Sequence, residues 1–170
     1  MAGVFGLEVV TPEQSLYAGG AASVVLSTSD GDLTVLDGHT PLVGDVVPCT
    51  LRIEEPDGTE LLVAVHGGFV QVDTSPGAAA GLAEGDGPLA GLSTRVTVLA
   101  GVAELAGEID LSRAELAREL ATQRVHEFSA GRGPATETGQ AASAANLALA
   151  EAQDALTRAE LRLSTANRRS

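Results

Sequence analysis

Residues 95–117 read RVTVLAGVAELAGEIDLSRAELA, and the spacing of their apolar side chains changes part-way along. Val96 and Val98 alternate with Arg95 and Thr97, the period of a strand with one buried face. From Leu111 onward Ala114 and Ala117 recur at helical spacing. Asp110 stands just before them as an N-cap, where a carboxylate accepts from free amides and complements the helix dipole. The boundary near residue 108 divides the chain into two folding units, 1–107 and 108–170, with different jobs.

Upstream, the apolar runs are short. Leu7, Val9 and Val10, then Val24 to Leu26, then Leu33, Val35 and Leu36 are separated by Thr-Pro, Gly-Gly and Asp-Gly punctuation. Thr50 to Glu54 alternates, Pro56-Asp57-Gly58 supplies a turn, and Glu60 to Val65 begins the return strand. Gly67-Gly68 precedes Phe69 to Asp73, while Arg95 to Leu99 and Val102 to Leu105 complete the series. Many short strands with no intervening helix indicate an antiparallel sandwich or barrel. Residues 75–94 interrupt it with Gly, Ala and Pro and no sustained period, which reads as a flexible surface insertion.

Downstream, Ala114, Ala117, Ala121, Val125 and Phe128 share one helical face, with Leu120 at its shoulder. Gly131, Gly133, Pro134 and Gly139 then break the pattern within a flexible linker over 129–143. Beyond it Ala145, Leu149, Ala152, Leu156, Ala159, Leu163 and Ala166 step alternately by four and three. Small Ala side chains let two antiparallel helices approach closely. The expected fold is therefore α+β, with an N-terminal antiparallel β-sandwich followed by a C-terminal antiparallel α-helical hairpin. At about 25 cal/mol per Å² a seam this narrow stabilises the pair only modestly. Two readings stay open: a permanently closed hairpin, or one that exchanges its contacts for those of a partner.

Charge divides at the same boundary. Residues 1–107 carry Arg52 and Arg95 against 14 acidic residues, a net of −12, and residues 108–170 carry eight Arg against nine acids, a net of −1, which together recover the −13 of the chain. Such an acidic body argues against nucleic acid as a partner, because neutralising phosphates needs a basic surface. No apolar run approaches the roughly 18 residues of a membrane span. A single cysteine, Cys49, and an N-terminus without an apolar signal core point to a cytosolic compartment.

The segments themselves resemble a known family. Gly31-Asp32-Leu33-Thr34-Val35-Leu36, Gly38-His39-Thr40-Pro41-Leu42-Val43, Gly67-Gly68-Phe69-Val70-Gln71-Val72 and Val96-Thr97-Val98-Leu99-Ala100 are similar, in order and spacing, to segments of the epsilon subunit of F-type ATP synthase. Ile109-Asp110-Leu111-Ser112-Arg113-Ala114 and Arg162-Leu163-Ser164-Thr165-Ala166 continue the likeness into the tail. It implies a sandwich of about ten strands that links the gamma subunit to the ring of c subunits in the rotor stalk for proton-driven ATP synthesis. It also implies helices that either fold on the sandwich or extend into the alpha/beta catalytic head to restrain ATP hydrolysis. Such a subunit is not a catalyst, needs no cofactor, and sits peripherally on the cytoplasmic face of the cell membrane as part of the complex. The alternative is a free-standing adaptor module of sandwich and hairpin, unrelated to a rotary ATPase.

Several residues carry two readings. Gly38 and His39 belong to a turn, in which glycine supplies an unusual backbone angle and His39 bonds locally; the resemblance adds Gly38, His39, Thr40, Pro41 and Leu42 to the surface facing the c-ring or gamma. Gly67, Gly68 and Phe69 read first as strand entry and core, with Phe69 a rotor contact second. Asp110 caps a helix. By resemblance Ile109, Asp110, Arg113 and Ala114, with Arg158 and Arg162 of the second helix, also form a site for regulatory ATP, in which arginine meets phosphate by charge-assisted bonds. Asp154, one turn before Arg158, weighs against tight binding. Arg158, Arg162, Arg168 and Arg169 are either solvated helix charges or, on an extended tail, contacts for an acidic segment of the beta subunit. A nucleophilic role for Cys49 would need a paired base such as His39 or His66. Asp30, Asp32 and Asp37 lack calcium-loop spacing and read as turn acids rather than metal ligands.

Overall fold

Ten strands and two helices follow one another in the order expected. They are β1 (Phe5–Val10), β2 (Ser15–Ala21), β3 (Ser23–Thr28), β4 (Gly31–Val35), β5 (Leu42–Val46), β6 (Cys49–Glu54), β7 (Glu60–Val65), β8 (Gly68–Thr74), β9 (Thr94–Ala100), β10 (Ala103–Leu105), α1 (Leu111–Ser129) and α2 (Ala141–Asn167). The computed structural model describes residues 3–76, 78, 92–130 and 141–168. Most of the expected insertion (77 and 79–91), the middle of the expected linker (131–140) and Arg169 lie outside the described residues.

The strands run β10-β7-β6-β3-β5-β8-β9-β1-β2, with β4 on the free side of β3. β3 is the corner: Ser23 to Val25 pair with β6, whereas Thr28 pairs with Val46 of β5. The path thus folds into two layers over one core. Inward positions recur at period two along each strand: Phe5, Leu7 and Val9 on β1, Leu51 and Ile53 on β6, Val70 and Val72 on β8, and Val96 and Val98 on β9, each at most 2% exposed. Aliphatic side chains fill this interior almost unaided, as the scarcity of aromatics requires. Among the described residues all pairings are antiparallel except β1 with β9, which run parallel. Nearly the whole sandwich separates those two strands in sequence, more than enough for the crossover of at least about a dozen residues that a parallel pair needs.

Gly67, just before β8, and Gly68, its first residue, have φ of 117° and 152°. A side chain on Gly68 would put its Cβ 2.0 Å from the Leu99 carbonyl oxygen, so the pairing of β8 with β9 requires glycine there.

The hairpin is closed. Ala114 and Ala121 of α1 and Ala152, Ala159 and Leu163 of α2 are buried along the seam, in the four–three pattern of the sequence. Leu120, at the shoulder, is 49% exposed. Asp110 caps α1 as expected, its Oδ1 accepting from the Arg113 N–H at 3.0 Å.

Candidate functional site

One row of side chains on the outer face of the sandwich receives α2. Ala64 of β7 lies in register between Glu104 of β10 and Thr50 of β6. Each meets the same stripe of the helix. Glu104 accepts two hydrogen bonds from Arg162, one of them from Nε at 2.7 Å. Ala64 packs in a small apolar cluster with Ile109, Ala114 and Leu163, flanked by Ala166. Thr50 Oγ1 lies 2.7 Å from Thr165 Oγ1, and Thr165 is fully buried. Positions 162, 165 and 166 share a face by helical spacing, so one turn of α2 makes all three contacts. β7 bears the imprint of this docking: Leu62, Val63, Ala64 and Val65 are all buried, because the tail covers the face that would otherwise meet water.

Just past the end of β7, the His66 side chain is only 3% exposed, and neither ring nitrogen has a hydrogen-bond partner among the described residues. Its Nε2 stands 3.9 Å from Glu104 Oε1. Burial pushes the imidazole below its ordinary pKa, and the Arg162 and Arg158 guanidiniums add to that against the opposing pull of Glu104.

Beside this docking turn, a cavity of about 420 Å³ gathers five of the six residues expected around a nucleotide: Ile109, Asp110, Arg113, Ala114 and Arg162. Arg158 is not among its lining residues. Glu104 and Glu108 line it too, so three carboxylates face two guanidiniums, and Arg162 is already held by Glu104. The arrangement offers a polar recess with one uncommitted arginine, Arg113, and no concentration of positive charge.

The arginines expected to meet a beta subunit are dispersed along the docked helix. Arg162 faces Glu104, Arg158 contributes its field at His66, and Arg168 lines clefts with Glu60 and Arg52. Arg169 lies outside the described residues.

The residues expected to face gamma or the c-ring separate into two places. Gly38 sits in a turn at φ 77°, where its N–H donates to Thr94 Oγ1 at 2.9 Å and the His39 N–H donates to the Leu36 carbonyl. The His39 carbonyl accepts from Thr74 Oγ1 at 2.6 Å, which pins this loop to the far end of β8. Thr40 and Pro41 are exposed and Leu42 begins β5. Phe69 stands at the opposite end of β8, five residues or about 16 Å away. The expectation that Phe69 belongs to the core is overturned: it is 56% exposed, since Val70 and Val72 take the inward positions and the alternation turns residue 69 outward. Around it the same outer face exposes Val43 of β5 at 73% and Leu99 of β9 at 49%, with Leu99 directly opposite Phe69. Neither Val43 nor Leu99 is among the contact residues expected from the sequence. Their signal was an apolar residue on the polar phase of an alternating strand.

Cys49 is buried in the sandwich, with its sulfur 3.4 Å from the Ser27 N–H. Desolvation pushes its thiol pKa up, the opposite of what a nucleophile needs. Two of the turn acids accept from neighbouring hydroxyls, Asp32 from that of Ser27 and Asp37 from that of Thr94.

Comparison with known proteins bears on these surfaces. Residues 4–76 match the family model described as ATP synthase, Delta/Epsilon chain, beta-sandwich domain. The ATP synthase epsilon chain of Brevibacillus brevis is 36% identical over 121 residues, covering 71% of this chain and 77% of the relative. That of Neisseria meningitidis is 33% identical over 163 residues, covering 95% and 92%, and so extends through the helical tail. A chain in the structure of the Euglena gracilis mitochondrial ATP synthase superposes with a TM-score of 0.63 at 18% identity over 93% of this chain and 78% of its own, a likeness of fold. With residues 4–76 matched by the family model and 95% of the chain matched at 33% identity by a curated relative, the chain belongs to the ATP synthase epsilon chain family.

Proposed function

We propose that this protein is a non-catalytic subunit of the rotor stalk of a proton-driven ATP synthase, joining gamma to the ring of c subunits. It would sit peripherally at the cytoplasmic face of the cell membrane. The observation that carries this reading is the outward apolar row of Val43, Phe69 and Leu99 on an otherwise strongly acidic sandwich. Exposed aliphatic and aromatic side chains grouped on one sheet face mark a protein-binding surface. The loop at Gly38 to Leu42, which runs into Val43 and lies at the end of β8 opposite Phe69, supports a second contact, with the ring. The test is capture of the gamma subunit by the full chain and by a Phe69→Ser/Leu99→Ser variant. The variant should fold with unchanged melting, since both side chains are about half exposed or more, and should lose capture by tenfold or more. Full capture by a folded variant, or recovery only with partners foreign to a rotary ATPase, would favour the free-standing adaptor.

The hairpin is the regulatory part of this reading: folded on the sandwich it leaves hydrolysis unrestrained, and extended toward the alpha/beta head it restrains it. Its thin attachment through Glu104, Ala64 and Thr50 supports such release. Regulatory ATP at the cavity beside Asp110 and Arg113 is a second reading, supported by the convergence of five expected residues there. Glu104, Glu108 and Asp110 oppose a triphosphate, so affinity should be weak. Calorimetric titration with ATP, compared between the protein and Arg113→Ala, tests it.

A further inference from the structure

Three charged groups and one neutral base meet where the hairpin joins the sandwich. His66 has a buried side chain with both ring nitrogens unpaired among the described residues. From β10, Glu104 faces it at 3.9 Å, and from α2 the guanidiniums of Arg162 and Arg158 act on it. Glu104 Oε1 is the nearest anion to His66 and also the atom that holds Arg162. One carboxylate oxygen thus lies within reach of two competing donors, one on each side of the interface.

We propose that Glu104 is the exchangeable acceptor of a proton-operated latch: it holds Arg162 while His66 is neutral, and a proton taken from solvent by His66 turns Glu104 toward the imidazolium and frees the hairpin. This rests on the reading that the hairpin leaves the sandwich. With the hairpin docked, a protonated His66 would be a further cation beside Arg162 and Arg158, its own ring nearly closed to water and the one shared carboxylate only partly solvated. With the hairpin released, the ring regains solvent, loses both guanidiniums and keeps Glu104 to itself. The docked state therefore binds the fewer protons, so acidification favours release. The imidazole is depressed in the docked state, which makes docking strongest above its ordinary value of 6.5 and weaker as pH falls below it, until the docked form itself protonates.

The experiment uses the full chain between pH 7.5 and 5.5. It reads the His66 titration by NMR and the opening of α2 by amide exchange, with His66→Gln as reference at each pH. The expected result is a His66 midpoint below 6.5 that rises in Arg162→Ala. The opening ratio of α2 should grow by up to about tenfold across the range in the protein and by less than about twofold in His66→Gln. Should His66→Gln fail to fold, the rise of the midpoint in Arg162→Ala carries the test alone. An opening ratio independent of pH, or a midpoint unmoved by Arg162→Ala, overturns the latch. If α2 still opens ahead of the sandwich in that case, the mobile hairpin survives. If α2 exchanges only with global unfolding, in Arg162→Ala as well, the mobile hairpin falls too.

Discussion

The hydroxyl pair Thr50–Thr165 gives a direct measure of how firmly the hairpin is docked. The two oxygens lie 2.7 Å apart, Thr165 is fully buried and Thr50 is half-buried. Thr50→Val keeps the shape of its side chain and strands the Thr165 hydroxyl in a dry interface. The carbonyl one turn back on the helix, that of Leu161, already accepts from the Ser164 hydroxyl at 2.9 Å. A buried group left without its partner costs about 1–2 kcal/mol, which is about 5–30-fold in the ratio of open to docked hairpin. Thr165→Val should cost less than about 1 kcal/mol, because Thr50 still reaches water at the edge of the interface. The double variant, with neither hydroxyl, should return to within about 0.5 kcal/mol of the parent, so that the two changes are strongly non-additive. Amide exchange in α2, referred to the core amides of β6 and β7, reads the opening free energy of the hairpin apart from that of the sandwich. Additive single effects would refute the pairing. Loss of protection in β6 and β7 together with α2 would refute the view that the tail opens on its own.

Two further outcomes follow from the sandwich. Gly68→Ala should lower global stability by at least about 2 kcal/mol, because its Cβ would fall 2.0 Å from the Leu99 carbonyl oxygen; Gly44→Ala, whose nearest neighbour is a side-chain carbon at 3.7 Å, should be near neutral, and thermal melting of both variants compares them. Tyr17, the only tyrosine in the chain, should ionise at about 12 in an ultraviolet titration. Desolvation comes first among the causes and the Glu55 carboxylate second, so Glu55→Gln should lower the midpoint. Because the folded value lies above the unfolded value of 10.0, this contribution to stability is intact below pH 10 and is lost as pH rises toward 12.

Strands with a strict two-residue alternation were legible in the sequence, as were the N-cap at Asp110 and the Ala/Leu seam, because each is a local consequence of covalent periodicity. Two strands escaped that reading. Ser15–Ala21 contains Gly19 and Gly20, which read as punctuation, yet it is held along its whole length against β1. Leu42–Val46 follows Pro41 and places Gly44 and Asp45 in a strand, a choice made by pairing with β8 rather than by propensity. The candidate site was legible where it lay in one motif and illegible where it depended on the far end of the chain. Ile109 to Ala114 could be singled out by eye. That Glu104, Ala64 and Thr50 form one row was hidden, because three separate strands supply it and α2 meets it from more than 50 positions away. A trace remained in Leu61-Leu62-Val63-Ala64-Val65, apolar on both phases, which is what a strand covered on two sides must be. Phe69 was misassigned for the complementary reason: its chemistry suits a core, and only its phase along β8 shows that it faces out.

The same physics that makes the sandwich rigid makes the tail separable. Inside the sandwich every strand is tied to neighbours on both flanks or lies at an edge over a continuous aliphatic core, so removing one element would expose the rest. At the tail, among the described residues, one apolar cluster of four buried residues, one hydroxyl pair and one ion pair carry the attachment, and each involves a different strand. The buried alanines bring little apolar area, and an ion pair whose side chains are about 30% exposed is worth little in water. Opening therefore needs only a few weak contacts to be exchanged, while the sheet beneath loses no backbone partner. A partner surface offering similar contacts, or one proton on His66, is of the right size to tip that equilibrium.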